Sequence, residues 1–179
     1  MTGRRRPGRP ALLVGVLAVA VAAALLLERR RAHEPAEMPV LGIAAADVVA
    51  VRVEEGGQEL RAVRVQHDWR VDLPSPARPG SDATIADLVD AVVATVALDS
   101  FRRPDLDRRA LGLEPPRARI ELTLAGRSDP VVFLLGDFAP SGGSVYAARE
   151  GDPRVFRVGA LIASEIENAL HAVEPAERG

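Results

Sequence analysis

The chain contains neither cysteine nor lysine. Without cysteine there is no disulfide framework and no thiolate nucleophile, although the redox compartment stays unreported. Without lysine, Schiff-base chemistry and a Walker-type phosphate lysine are excluded. All 23 basic residues are therefore arginine, which reads as a compositional bias. Aromatic residues are scarce: one Trp, one Tyr and four Phe leave little to stack on nucleobases. The three histidines, His33, His67 and His171, are dispersed, and none has a second ligand at metal spacing. No serine sits in a nucleophile elbow. These absences point away from a catalytic centre, a resident metal or a cofactor.

The formal charge of −2 conceals an asymmetry. Residues 1–39 hold seven arginines and three glutamates, whereas residues 40–179 hold 16 arginines and 22 acids, a balance of −6. An acidic main body argues against nucleic acid as a partner. Its acids form no obvious site. Asp99, Asp105 and Asp107 are interleaved with Arg102, Arg103, Arg108 and Arg109, a pattern that favours surface ion pairs over calcium. Asp87 and Asp90 share a helix face, but nothing nearby in sequence argues for paired-carboxylate catalysis.

One long apolar run is present. Ala11–Leu27 carries no charged or hydrogen-bonding side chain; four arginines precede it, and Glu28 and Arg29–Arg31 follow. As a helix it spans roughly 25 Å, short for a hydrocarbon core of about 30 Å but sufficient if the flanking arginines snorkel. A run with no polar face is not a surface core helix. The run and its flanks read as an uncleaved signal anchor. A cleaved signal peptide is the alternative, but small residues should then follow the run, where the chain reads Leu26-Leu27-Glu28-Arg29. Arg5-Arg6 is a poor twin-arginine signal because Pro7 and Gly8 follow. The charge bias across the run favours a short cytoplasmic tail, residues 1–10, with the main domain outside the cytoplasm (periplasmic). Membrane lipid is then the first expected partner.

Residues 28–39 form a polar, proline-containing linker, and one α+β domain is expected over 40–173, followed by a polar tail, 174–179. Asp47–Glu54 and Gln58–Val65 alternate apolar and polar residues around Gly56-Gly57, which predicts a hairpin. Trp69–Leu73 is a third strand, closed by Pro74-Ser75-Pro76. Ser81–Leu98 predicts a helix capped by Ser81 or Asp82, with Ile85, Leu88, Val89, Val92, Val93 and Val96 on one face. A short helix is expected at Asp105–Leu111 with Gly112 at its end. Leu113–Pro116 reads as extended. Strands follow at Arg117–Leu124, Val131–Leu135, Val145–Arg149 and Arg154–Val158, and a last helix at Leu161–Val173. The expected order is β-β-β-α-β-β-β-β-α, a mainly antiparallel sheet with covering helices.

Over roughly residues 40–170 the chain resembles the bacterial family called domain of unknown function 4340. The resemblance rests on Trp69-Arg70-Val71-Asp72-Leu73-Pro74, Leu111-Gly112-Leu113-Glu114-Pro115, Phe133-Leu134-Leu135-Gly136-Asp137, Ser144-Val145-Tyr146 and Val155-Phe156-Arg157-Val158. A tyrosine and an aspartate common in the second motif are Leu111 and Glu114 here. The resemblance implies one N-terminal membrane helix and an extracytoplasmic domain. It also implies an accessory role beside ABC-type transport or envelope systems, with a membrane or envelope protein as partner. It supplies no catalytic residue. Trp69, Pro74, Gly112, Leu113, Pro115, Gly136 and Tyr146 are expected to be structural, as core or turn positions.

Two functions remain open. The first is a membrane-anchored binding or scaffold domain. The second is an extracytoplasmic hydrolase or small-ligand binder using Asp137–Ser144, the one loop able to form a backbone anion nest.

Overall fold

A computed structural model describes residues 38–73, 78, 80–102 and 106–173. The expected tail, the Ala11–Leu27 anchor, His33, Pro74, Asp105 and residues 174–179 lie outside the described residues. Among the described residues no helix is long and apolar enough to cross a membrane.

Among the described residues nine strands form one sheet: β1 (Met38–Pro39), β2 (Val48–Glu55), β3 (Gln58–Val65), β4 (Asp68–Leu73), β5 (Val96–Phe101), β6 (Ala118–Leu124), β7 (Val131–Phe138), β8 (Ser144–Arg149) and β9 (Val155–Gly159). Their spatial order is β1-β5-β9-β8-β7-β6-β2-β3-β4, and every pairing is antiparallel. Two helices, α1 (Ser81–Val93) and α2 (Leu161–Val173), pack on each other and cover one face. The expected mainly antiparallel α+β domain is observed.

Period-two alternation explains the inner face. Val51 and Val53 of β2, Ile120 and Leu122 of β6, Phe133 and Leu135 of β7, and Phe156 and Val158 of β9 all point into the core under the helices. Ile85, Leu88, Val89 and Val92 meet them from α1, and Ile162, Ile166 and Leu170 from α2. At the β2–β3 hairpin, Gly56 and Gly57 have φ of 59° and 85°, the two positive values that a two-residue turn of this twist requires.

Three local expectations are corrected. The helix predicted to Leu98 stops at Val93, and Val96–Phe101 is a strand paired with β9. Val92, Val93 and Val96 fit a helical face, but their β-branched side chains fit a sheet equally well, and pairing with β9 decides. The Thr95 hydroxyl donates to the Ala91 carbonyl at 2.8 Å where the chain leaves the helix. The α1 N-cap is Gly80, left-handed at φ 85°, rather than Ser81, which is buried in the first turn. Leu113–Pro116 is a tight turn bridged between its ends, not an extended exit, and its Glu114–Pro115 peptide is cis.

The second face of the sheet is divided. Over β2, β3 and β6 it is an ion-pair lattice: Arg52 meets Glu54, Glu59 and Glu121, and Arg119 meets Glu121 and Glu150. Over β7, β8 and β9 it is apolar, with Val132, Leu134, Ala148 and Val155 forming a second, smaller core. That apolar half is covered by the segment 106–116 rather than by a helix.

Candidate functional site

The segment 106–116 is a strap held by its own side chains. Asp107 Oδ1 accepts the backbone N–H groups of Arg109 (3.0 Å) and Ala110 (3.3 Å), which fixes the 3-10 turn Arg109–Leu111. Among the described residues of the short helix expected at Asp105–Leu111, the helical ones are those of this 3-10 turn. Gly112 then turns left-handed at φ 66°, and Leu113 becomes 1 % exposed in the outer core beside Leu134 and Tyr146. Arg108 pairs with Glu114 at 2.9 Å, and the Arg108 carbonyl accepts the Leu113 N–H at 2.9 Å.

The strap meets the sheet at two glycines. A methyl carbon on Gly136 would lie 2.2 Å from the Leu111 carbonyl oxygen and 3.1 Å from the Leu113 side chain. One on Gly112 would lie 2.5 Å from the Asp137 carboxylate. Backbone crosses backbone at a distance that no side chain permits. The sequence-selected residues Gly112, Leu113 and Gly136 are thus brought together at one crossing, and Tyr146 packs beside it.

The strap walls an open cleft of about 530 Å³. Leu113, Pro115, Pro116 and Leu134 give it an apolar side; Arg109 and Arg119 face Glu150 and Asp152 across the rest. A second cleft of similar size shares the turn Glu150–Asp152. The rim carboxylates are arginine-bound. Glu150 is held below the usual carboxylate range, chiefly by its hydrogen bond from Arg119, and Asp152 chiefly by that from Arg154. Open, two-signed and partly apolar, this arrangement suits contact with a polypeptide surface better than enclosure of a small reactant.

Glu55 behaves oppositely. Burial pushes its carboxyl up, against the pull of Arg117, and its Oε2 is buried without a partner. Depressed groups such as Glu150 and Asp152 contribute stability above their ordinary pKa, and lose it as pH falls through the folded value. A raised carboxyl such as Glu55 contributes at low pH and loses that contribution as pH rises through the folded value. Thermal melts are therefore expected to drop between about pH 5 and pH 3, with about 0.5 M salt flattening the drop because the rim pairs are solvent-screened. Glu55→Gln is expected to melt above the parent at neutral pH, the gap closing on acidification. A gap that is constant with pH would contradict the assignment.

The other expected sites fall elsewhere. Trp69 is buried on β4, with the Arg64 guanidinium 5.5 Å from its ring centre. Asp137 is exposed at the strap crossing, Ser144 is buried at the start of β8, and Asp137–Ser144 lines neither of the two clefts described. Asp99 accepts the Ser100 N–H and approaches Arg157 at 3.9 Å. His67 is exposed in the β3–β4 turn, and His171 donates through Nδ1 to the Glu167 carbonyl at 2.9 Å. Among the described residues no three His, Asp or Glu side chains gather as a metal site. The strap cleft was not foreseen. Its signals were the Gly112 and Gly136 motifs, whose mutual contact no spacing rule reveals.

No curated protein and no solved structure matches the chain. The matched family segment begins at β5 and ends with α2, so it contains the strap, the glycine crossing and both walls of the cleft, while Trp69 precedes it. Residues 96–173 match the model of the family described as Domain of unknown function (DUF4340).

Proposed function

We propose that this protein is a single-pass, membrane-anchored binding or scaffold domain that works outside the cytoplasm, in the periplasm, as an accessory to a transport or envelope system. Ala11–Leu27 with its flanking arginines supports the anchor and its orientation. The observation that carries the binding role is the strap cleft. Its walls are built by the family-matched segment, and it joins an apolar floor to arginines and carboxylates without a reactive constellation. The partner is a membrane or envelope protein that lays a short segment, apolar at its centre and charged at its edges, against Leu113 and Leu134.

A photo-crosslinking residue at Glu114, compared with one at Ser141, tests this reading in intact cells. The cleft position is expected to capture one defined membrane or envelope protein, and Arg109→Ala is expected to weaken that capture severalfold. Capture confined to Ser141 would move the site to the β7–β8 loop, the position of a small-ligand site. Capture at neither position would reject the scaffold reading.

A further inference from the structure

We infer that the open edge of β4 pairs with the same edge of a second copy of this chain, antiparallel, across a two-fold axis at Val71. The inference depends on neither the anchor nor the strap cleft. The two edges of the sheet differ. One is β1, only two residues long, and one of them is Pro39. Brevity and the missing proline N–H both blunt an edge. The other is β4, six residues without a proline. It pairs with β3 on one side, and among the described residues no strand lies on the other. Alternate residues of an antiparallel strand turn their N–H and C=O groups away from the neighbour they already have. The β4 edge therefore presents a row of backbone donors and acceptors to a further strand. Its one register shift against β3 lies toward the Leu73 end. Cover on the helix side is incomplete: α1 packs against β4 and Trp69 is buried, yet Val71, which packs on the core, is only half-buried.

Charge selects the occupant and its register. Asp68, Arg70 and Asp72 alternate in sign along the strand and are all exposed. Within one chain Arg70 reaches Asp72 at 3.1 Å, an exposed pair that can be exchanged between chains. Two self-pairings keep five residues of β4 in the new ladder with inner and outer faces matched. A two-fold at Arg70 sets Arg70 against Arg70 and Asp68 against Asp72, all like charges. A two-fold at Val71 sets Arg70 against Asp72 twice, Val71 against Val71, and Trp69 against Leu73.

Opposite charges directly across an antiparallel pair stabilise it, and like charges there oppose it. The Val71 register is therefore the attractive one, and the two-fold repeats each of its contacts. It also lays a strand beside the half-buried Val71. An unrelated extended segment would gain the backbone bonds but not the charge match. Five paired residues bury less than a standard interface, so the dimer is weak and reversible.

The test is oxidative crosslinking of the full chain purified in mild detergent. Because the protein is cysteine-free, Val71→Cys places a single thiol on the axis, and a disulfide-linked dimer is expected. Arg70→Cys is more exposed, yet in this register it lies diagonally from its own copy, roughly 7–8 Å away and at the limit of disulfide reach. Ser141→Cys, in the β7–β8 loop, reports association by any other route. Both are expected to give at least about fivefold less dimer than position 71. In the Val71→Cys chain, Arg70→Asp sets Asp against Asp72 in two places and is expected to cut the dimer at least about fivefold. Adding Asp72→Arg is expected to restore it, which a variant that merely misfolds would not show. No more dimer at position 71 than at 141 overturns the edge pairing. Equal dimer at 70 and 71, or no recovery in the doubly reversed chain, overturns the Val71 register. Each of these results leaves the membrane anchor and the strap cleft standing.

Discussion

Gly136→Ala is expected to destabilise the domain by about 2–3 kcal/mol, the upper part of the range for forcing a methyl group into a closed contact. At this size that lowers the melting temperature by roughly 5–10 °C. The reason is local. The added carbon would sit 2.2 Å from the Leu111 carbonyl oxygen, which is backbone and cannot rotate away as a side-chain end would. Gly136 has no left-handed φ, so the effect is one of contact alone. The strap must lift, and Leu113 is drawn from the outer core with it. Gly142→Ala separates the two causes. Gly142 is left-handed at φ 68°, yet an added carbon there meets nothing within 4 Å. Its cost should be only conformational, about 1 kcal/mol. Gly136→Ala should also abolish crosslinking at Glu114, because the cleft loses its wall. Equal melting temperatures for the two variants would contradict the strap account.

The second large effect concerns the apolar run. Arginine at both Leu17 and Ala20 should move the protein from the membrane to the soluble fraction. Each arginine near the centre of a span costs about 2.5–3.5 kcal/mol, roughly 5–7 kcal/mol for the pair. A seventeen-residue run rich in alanine has little insertion energy to set against that. Ala20→Leu is the control and should remain with the membrane. Unchanged membrane recovery of the double-arginine variant would show that the run is not what holds the protein there.

Most of the sheet was legible because its strands alternate cleanly. Val51 and Val53, Ile120 and Leu122, and Phe156 and Val158 show period two in sequence and point inward in the structure. Gly56-Gly57 announced its hairpin. The misreadings came where two patterns coincide. Val96 continues the α1 spacing but belongs to β5, where it pairs with Pro39 of β1, and the rest of that strand pairs with β9, some sixty residues later. Leu113–Pro116 looked extended because its prolines exclude a helix, yet its ends bridge each other across a turn. The candidate site was less legible. Gly112 and Gly136 could be read as turn residues, but their role is a mutual approach of strap and strand. Nothing in either motif states which distant backbone lies against it. Asp107, read as a surface ion-pair residue, proves to fix the strap's 3-10 turn.

We propose that this domain works from a membrane tether. Alkaline carbonate extraction of membranes from cells producing the unmodified full chain tests it most directly. The protein is expected to stay with the bilayer at full length, its N-terminal segment intact. Release into the carbonate supernatant, or recovery of a shorter chain beginning beyond Leu27, would contradict it.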